Sequence, residues 1–178
     1  MANTRKPETI EADEAAGPVR RFSLADMPQW GDWLIQRLSE RYAGFNPNHW
    51  VGRAQAAMSS NSTLFVRNER AVIMVSITPR AMDGSLVAIE DFALSRDATY
   101  QEQGGLVELP YRRDLLHRPL ILLYHHAREW ARAQKAQRLF VGQCSDLRYG
   151  ILRDVLPSDV CGWVSVRLTL PNNWKEPK

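Results

Sequence analysis

The pattern of apolar and polar positions predicts a long helix that enters a buried strand in the second half of the chain. Within residues 112–145, apolar side chains recur at helical spacing for about twenty residues, and a compact apolar run follows at 139–141. Pro119 suits the first helical turn, where a missing N–H costs nothing. Arg128 and Arg132 lie in the last turns, where cations meet the negative end of the helix dipole. This helix and strand predict one arm of an α/β crossover, with the helix N-terminus opening towards a ligand crevice.

The first half of the chain predicts two helices followed by three strands. After a short strand at 19–24, Asp26 is the predicted N-cap of the first helix, with Pro28 in its first turn. A second, shorter helix is predicted at 50–58. The strand-like runs are 64–67, 71–78 and 86–94. Because short turns join these runs, we expect an antiparallel meander.

The remaining segments are a long connection and a C-terminal helix and strand. Residues 95–111 are irregular, and a loop of this length is usually functional or an interaction site. Beyond the long helix, a short helix is predicted at 146–156 and a closing strand at 161–170.

The domain organisation follows from where the apolar pattern begins and ends. Residues 1–18 are polar and predict an extended N-terminal arm, because nothing in them offsets the entropy of ordering. One domain is expected over 19–171, followed by a loose tail at 172–178.

Composition narrows the class of protein. The chain has 178 residues, 44% of them apolar, which is enough to bury one core. The net charge is +3 with bases and acids interspersed, so no nucleic-acid partner is expected. No apolar run approaches a membrane span, and the N-terminus lacks the apolar stretch of a secretory signal. We therefore expect a cytoplasmic protein.

No metal site is predicted. His125 and His126 precede Glu129 on the long helix, but consecutive helical residues point about 100° apart and cannot both bind one ion. Cys144 and Cys161 are read as free thiols in a reducing compartment.

The order of the elements over about residues 19–170 resembles the GNAT-type N-acetyltransferase fold. Two stretches carry the resemblance: REWARAQKAQRLFV at 128–141, and GQCSDLRYGILRDVL at 142–156. The resemblance implies an α/β (α+β) fold with a mixed, mostly antiparallel sheet of about six to seven strands flanked by four helices. The chain is also similar to the divergent GNAT-like proteins encoded by tailed bacteriophages.

The resemblance implies where the chemistry of an acetyltransferase would lie. Glu90 and Asp91 are on the strand that the family uses to deprotonate the amine, so one of them would be the base. The structural interpretation, which we favour, is that one of the pair faces solvent and the other closes a salt bridge. The acid that the family often places on the short helix is missing, because Arg153 stands where the family has Tyr.

The resemblance also implies a site for acetyl-CoA. The pantetheine arm would lie along the strand at Phe92, Ala93 and Leu94. The pyrophosphate would meet the start of the long helix, at Arg112, Arg113 and Arg118. That loop lacks both glycines of the family pattern, and glycine is what lets a backbone approach phosphate closely.

Two functions stay open at this point. The favoured one is a non-catalytic structural or adaptor protein without cofactor, expected in the bacterial host cytoplasm or as a head- or neck-associated component of a phage virion. It would bind protein partners through the arm at 1–18 and the loop at 95–111, in an oligomer or larger assembly. The alternative is an acyl-CoA-dependent N-acetyltransferase acting on an amine.

Overall fold

The structure is a computed structural model that describes residues 7–96 and 118–141, with side chains from residue 11 onward in the first helix. Its helices are α1 (Pro7–Ala16), α2 (Met27–Arg41), α3 (Pro47–Ser59) and α4 (Arg118–Ala133). Its strands are β1 (Arg20–Arg21), β2 (Thr63–Arg67), β3 (Ala71–Pro79), β4 (Leu86–Ser95) and β5 (Leu139–Phe140). A 3₁₀ turn, Leu24–Asp26, leads into α2. The predicted short helix at 146–156 and closing strand at 161–170 lie outside the described residues.

The five strands form one sheet in chain order. Strands β1 to β4 pair antiparallel, as the meander prediction requires, and β4 pairs parallel with β5. The parallel pair follows from the connection, because the chain returns through α4 before it re-enters the sheet. The predicted mixed, mostly antiparallel sheet is therefore confirmed.

The sheet separates two apolar layers. On one face, α4 packs on alternate residues of the central strands; its buried side chains there are Leu120, Leu123, Tyr124, Ala127 and Ala131. On the other face, α2 and α3 pack against the remaining strand residues; their buried side chains are Trp30, Leu34, Leu38, Trp50, Ala54 and Ala57. Both layers exclude water, so the buried residues of β3 and β4 are committed to one of two distinct environments.

The N-terminal segment differs from the predicted extended arm. Residues 7–16 form α1, which packs on its own domain: Ala16 is fully buried and its carbonyl accepts a 2.9 Å hydrogen bond from the backbone N–H of Glu69. Asp13 forms a bidentate ion pair with Arg118 at the start of α4. The prediction counted only apolar residues, whereas charged and backbone groups hold this helix.

Asp26 occupies the N-cap position of α2, as predicted, but its side chain does not cap the helix. The carboxylate instead accepts hydrogen bonds from the backbone N–H and hydroxyl of Ser23 and from Arg67 on β2. Burial pushes the pKa of Asp26 upward, but the hydrogen bonds from Arg67 and Ser23 outweigh burial and hold the pKa below its usual value. The residue therefore fastens α2 to the sheet.

Within residues 7–96 and 118–141, no helix combines the length and the apolar character that crossing a membrane requires.

Candidate functional site

The centre of the site is a β-bulge in β4. In the pairing with β3, Met74 lies opposite Phe92 and Val75 lies opposite Glu90, so Asp91 is an extra residue without a partner across the ladder. A bulge of this kind bends a strand and changes the direction of the side chains that follow it. The alternation of side chains along β4 is therefore interrupted after Asp91, because Asp91 and Phe92 lie on the same face of the sheet.

Glu90 faces α4. Its side chain is 5% exposed, and its Oε2 accepts a 2.5 Å hydrogen bond from the hydroxyl of Tyr124. Ala88 and Ala93 of β4 lie in the same apolar layer. Glu90 thus lies inside the fold, and the predicted solvent exposure does not apply to it.

Asp91 faces the opposite side of the sheet, towards α3. One carboxylate oxygen pairs with the guanidinium of Arg53, and the other accepts a hydrogen bond from the hydroxyl of Ser76 on β3. The Asp91 side chain is 17% exposed and that of Arg53 is 51% exposed. The predicted salt bridge of this acidic pair is therefore made by Asp91, at the edge of solvent.

The end of α2 supports the bulge from outside the sheet. The hydroxyl of Tyr42 donates a 3.0 Å hydrogen bond to the backbone carbonyl of Asp91, and Arg41 donates to the carbonyl of Ala93 at 3.4 Å. The parallel pairing of β4 with β5 reaches only Ile89 and Phe140 in the described part of the chain. Beyond Ile89, the carbonyls of Asp91 and Ala93 accept hydrogen bonds from side chains at the C-terminal end of α2.

A cavity of about 320 Å³ opens beside Asp91, between the α2–α3 connection and the sheet. Its apolar wall consists of Leu38, Tyr42, Phe45, Trp50, Met74 and Phe92. Its polar groups are Asn46, His49, Arg53 and Asp91. A largely apolar pocket with a few convergent polar groups is the usual form of a small-molecule site.

The predicted cofactor residues fall into three groups. Phe92, Ala93 and Leu94 lie on β4 beyond the bulge, and all three side chains are buried. Arg118 begins α4, but Asp13 already pairs with it. The other two, Arg112 and Arg113, lie outside the described residues.

Four residues of the site were not predicted: Arg53, Ser76, Tyr42 and Tyr124. A tyrosine on the apolar face of a helix needs a partner for its hydroxyl, so Tyr124 carried a signal that pointed to a buried acceptor. The other three gave no such signal, because their contacts depend on how distant elements pack together. Among the described residues, no group of three or more His, Cys, Asp or Glu side chains is placed to hold a metal ion.

Comparison with solved structures identifies the fold. The chain is similar to an aminoglycoside 6'-N-acetyltransferase from Acinetobacter haemolyticus, with 13% identity, a TM-score of 0.53, and coverage of 86% of this chain and 99% of that one. It is similar to glucosamine-6-phosphate N-acetyltransferase from Arabidopsis thaliana, with 9% identity, a TM-score of 0.57, and coverage of 88% and 98%. It is also similar to an aminoglycoside acetyltransferase from an uncultured soil metagenomic sample, solved in complex with sisomicin. The identity is 13%, the TM-score is 0.54, and the match covers 89% of this chain and 99% of that one.

These matches span most of the chain and define its class: it has the GNAT-like α+β fold of N-acetyltransferases, as the sequence resemblance predicts. At such low identity the likeness concerns the fold. No family model matches the sequence, and no curated protein matches it.

Proposed function

We propose that this protein is an acyl-CoA-dependent N-acetyltransferase in which Asp91 is the base for a small amine. The observation that carries the proposal is the position of the Asp91 carboxylate, which borders the cavity between α3 and the sheet at a β-bulge. Bulges are frequent beside active sites because they re-aim one side chain. An acceptor in this cavity would place its amine within reach of a carboxylate that a rigid strand positions.

Each neighbour of Asp91 has a role in this proposal. Ser76 holds one carboxylate oxygen, and Arg53 holds the other until the acceptor enters. Tyr42 fixes the backbone of the bulge through its hydrogen bond to the Asp91 carbonyl. Asp91 takes the proton that the amine loses as its nitrogen forms the amide bond, while the C–S bond of the thioester would break and the departing thiolate would take a proton from solvent. Glu90 is held by Tyr124 on the other face and is assigned a structural role.

The chain offers a place for the acyl-CoA arm beside the bulge. In the described part of the chain, no strand pairs with the outer edge of β4 after Ile89, where the carbonyls of Asp91 and Ala93 meet side chains of α2. This edge fits an extended amide-bearing chain such as pantetheine, which could form hydrogen bonds along it. Phe92, Ala93 and Leu94 would supply that backbone, and the bound thioester would supply the acyl group.

The test is a pair of measurements on the full-length protein. Calorimetry with acetyl-CoA should show micromolar binding, about −8 kcal/mol. A thiol-release assay with a panel of primary amines should show turnover that Asp91→Asn lowers by about 100-fold or more, because a positioned base contributes that much. Asp32→Asn, which removes an exposed acid on α2, is the matched control and should keep full activity. Absence of acetyl-CoA binding at millimolar concentration would refute the proposal.

A second candidate is the non-catalytic adaptor predicted from the sequence, including its possible place in a phage virion. One observation favours it: Asp13 pairs with Arg118, a cation that the resemblance assigns to the cofactor pyrophosphate. An adaptor would give no heat with acetyl-CoA. Light scattering on the purified chain, alone and with a candidate partner, would then test the predicted assembly through the N-terminal segment and residues 95–111.

A further inference from the structure

The cavity beside Asp91 contains one contact between opposite charges. Arg53 and Asp91 touch directly, and both line the same wall. His49 lies one helical turn before Arg53, on the same face of α3. The rest of the lining is mostly apolar and aromatic, so this side of the cavity is where a charged ligand would be recognised.

The ion pair with Arg53 occupies the Asp91 carboxylate, which is the proposed base. Both oxygens of the Asp91 carboxylate already carry hydrogen bonds, one from Arg53 and one from Ser76. Each oxygen has a second lone pair, so an amine can meet Asp91 with both donors in place, but the Arg53 cation offsets the negative charge that attracts the amine until Arg53 leaves. Ser76 lies within strand β3, whereas Arg53 is half-exposed on the helix surface and has a long flexible side chain. Arg53 is therefore the donor that an arriving ligand can displace.

A ligand carboxylate is the natural competitor for Arg53. It can offer the guanidinium two oxygens in a bidentate pair, whereas Asp91 gives Arg53 one oxygen and Ser76 the other, so the exchange costs little. The positions of the two charges limit the ligand further. Because Arg53 and Asp91 are in contact, they match a molecule whose ammonium and carboxylate are also adjacent. An α-amino acid has this arrangement, whereas an amino sugar phosphate separates its charges by several bonds.

The size and walls of the cavity limit the side chain of the ligand. The volume of about 320 Å³ is at the small end of ligand pockets, and Phe45, Trp50 and Phe92 contribute aromatic surface. Such a wall suits an apolar or aromatic group and gives no compensation for a buried hydroxyl-rich ring.

We propose that the acceptor is a small α-amino acid with an apolar or aromatic side chain, whose carboxylate replaces Asp91 on Arg53. This proposal rests on the N-acetyltransferase function above and names its substrate class. The amine then meets an Asp91 that has lost its arginine partner. Binding of the substrate carboxylate to Arg53 therefore makes Asp91 available as the base. Amines without a carboxylate leave the Arg53–Asp91 pair closed and react poorly.

The experiment compares two acceptors that differ by one group, L-phenylalanine and phenethylamine, with acetyl-CoA and the full-length protein. The wild type should favour L-phenylalanine by at least tenfold in kcat/KM. Arg53→Gln should abolish this preference, mainly by raising KM for L-phenylalanine, while phenethylamine turnover increases because Asp91 has lost its arginine partner. Arg53→Lys, which keeps the charge without the bidentate fork, should fall between the two. Arg80→Gln, which removes another partly exposed arginine with an acidic partner, is the control and should retain the preference.

Calorimetry without acetyl-CoA separates this inference from the proposed function. Binding of L-phenylalanine to the wild type, with at least tenfold weaker binding to Arg53→Gln, supports the inference even if no acetylation is detected. Equal use of both acceptors by the wild type, or an unchanged preference in Arg53→Gln, overturns the inference and leaves the acetyltransferase function standing. Absence of L-phenylalanine binding to the wild type also overturns it.

Discussion

The hydroxyl of Tyr124 on α4 donates a 2.5 Å hydrogen bond to Oε2 of Glu90 on β4, and both side chains are buried. The two residues are 34 positions apart in the sequence, so this bond joins the long helix to the strand that carries the candidate site. A carboxylate in an apolar layer is stable there only with hydrogen-bond donors around it.

Removing this donor should destabilise the fold. Tyr124→Phe is expected to lower the free energy of unfolding by about 2 kcal/mol, the typical value for a hydrogen bond to a charged group. Tyr42→Phe is the matched variant, since it also removes one hydroxyl but loses only a bond to a neutral carbonyl; its expected cost is about 1 kcal/mol. Urea unfolding of the three proteins measures both values, and equal costs would contradict the role of Glu90.

The ion pair between Asp26 and Arg67 should make the free energy of unfolding depend on pH. The pKa of Asp26 is lower in the folded state than in the unfolded state, so its contribution is complete above the unfolded pKa, about 3.9. This contribution is lost as the pH falls through the folded pKa. Asp26→Asn is therefore expected to flatten the loss of stability below about pH 4.

At neutral pH the same variant should cost about 3 kcal/mol, because it leaves a buried guanidinium without its carboxylate. Urea unfolding from pH 2 to pH 7 measures both effects. Asp32→Asn serves again as the exposed control and should follow the wild-type curve. A wild-type curve with the same acid slope as Asp26→Asn would argue against this linkage.

Asn68 should be one of the most sensitive polar residues of the fold. Its side chain is fully buried, donates to the carbonyl of Pro119 at 2.9 Å and accepts from the backbone N–H groups of Arg70 and Ala71. Asn68→Ala leaves the two N–H groups without this acceptor and removes the bond to the Pro119 carbonyl, so we expect a loss of about 3 kcal/mol in unfolding free energy. Asn61→Ala removes an exposed asparagine and should change it by less than about 0.5 kcal/mol. Thermal and urea unfolding compare the two variants.

The contact between α1 and α4 can be measured by a double-mutant cycle on Asp13 and Arg118. The pair is bidentate and mostly buried, with side chains 18% and 16% exposed. We expect a coupling energy of about 1 kcal/mol, above the value for a typical exposed pair. A coupling near zero in Asp13→Ala, Arg118→Ala and the double variant would show that α1 is held by its other contacts alone.

The strands and helices were largely predictable because each is specified by a local pattern. The bounds of β3 and β4 differ from the predicted ones by one residue at one end, since a β-branched apolar run between turns needs no distant information. The predicted helix at 50–58 begins earlier, at Pro47, because Asn46 caps it by accepting from the N–H groups of Asn48 and His49.

The site was less predictable because it depends on one irregular residue. Strict alternation along β4 would place Glu90 and Phe92 on the same face, yet they lie on opposite faces. The bulge at Asp91 is set by pairing with β3, and no pattern within β4 reveals it. The Arg53–Asp91 contact depends on how α3 packs on the sheet, so it was also invisible in the sequence. The helix α1 was missed because contacts with Arg118 and Glu69, far along the chain, fix it.

The opposite orientations of Glu90 and Asp91 also affect how this protein can change. Two acids that are adjacent in the sequence lie on opposite sides of a sheet, one enclosed by the α4 layer and one bordering the cavity. Substitutions around Asp91 can therefore change which ligands bind, while the hydrogen bond between Glu90 and Tyr124 continues to stabilise the fold. Adjacent residues of one strand therefore serve separate ends, since one holds the scaffold and the other borders the site.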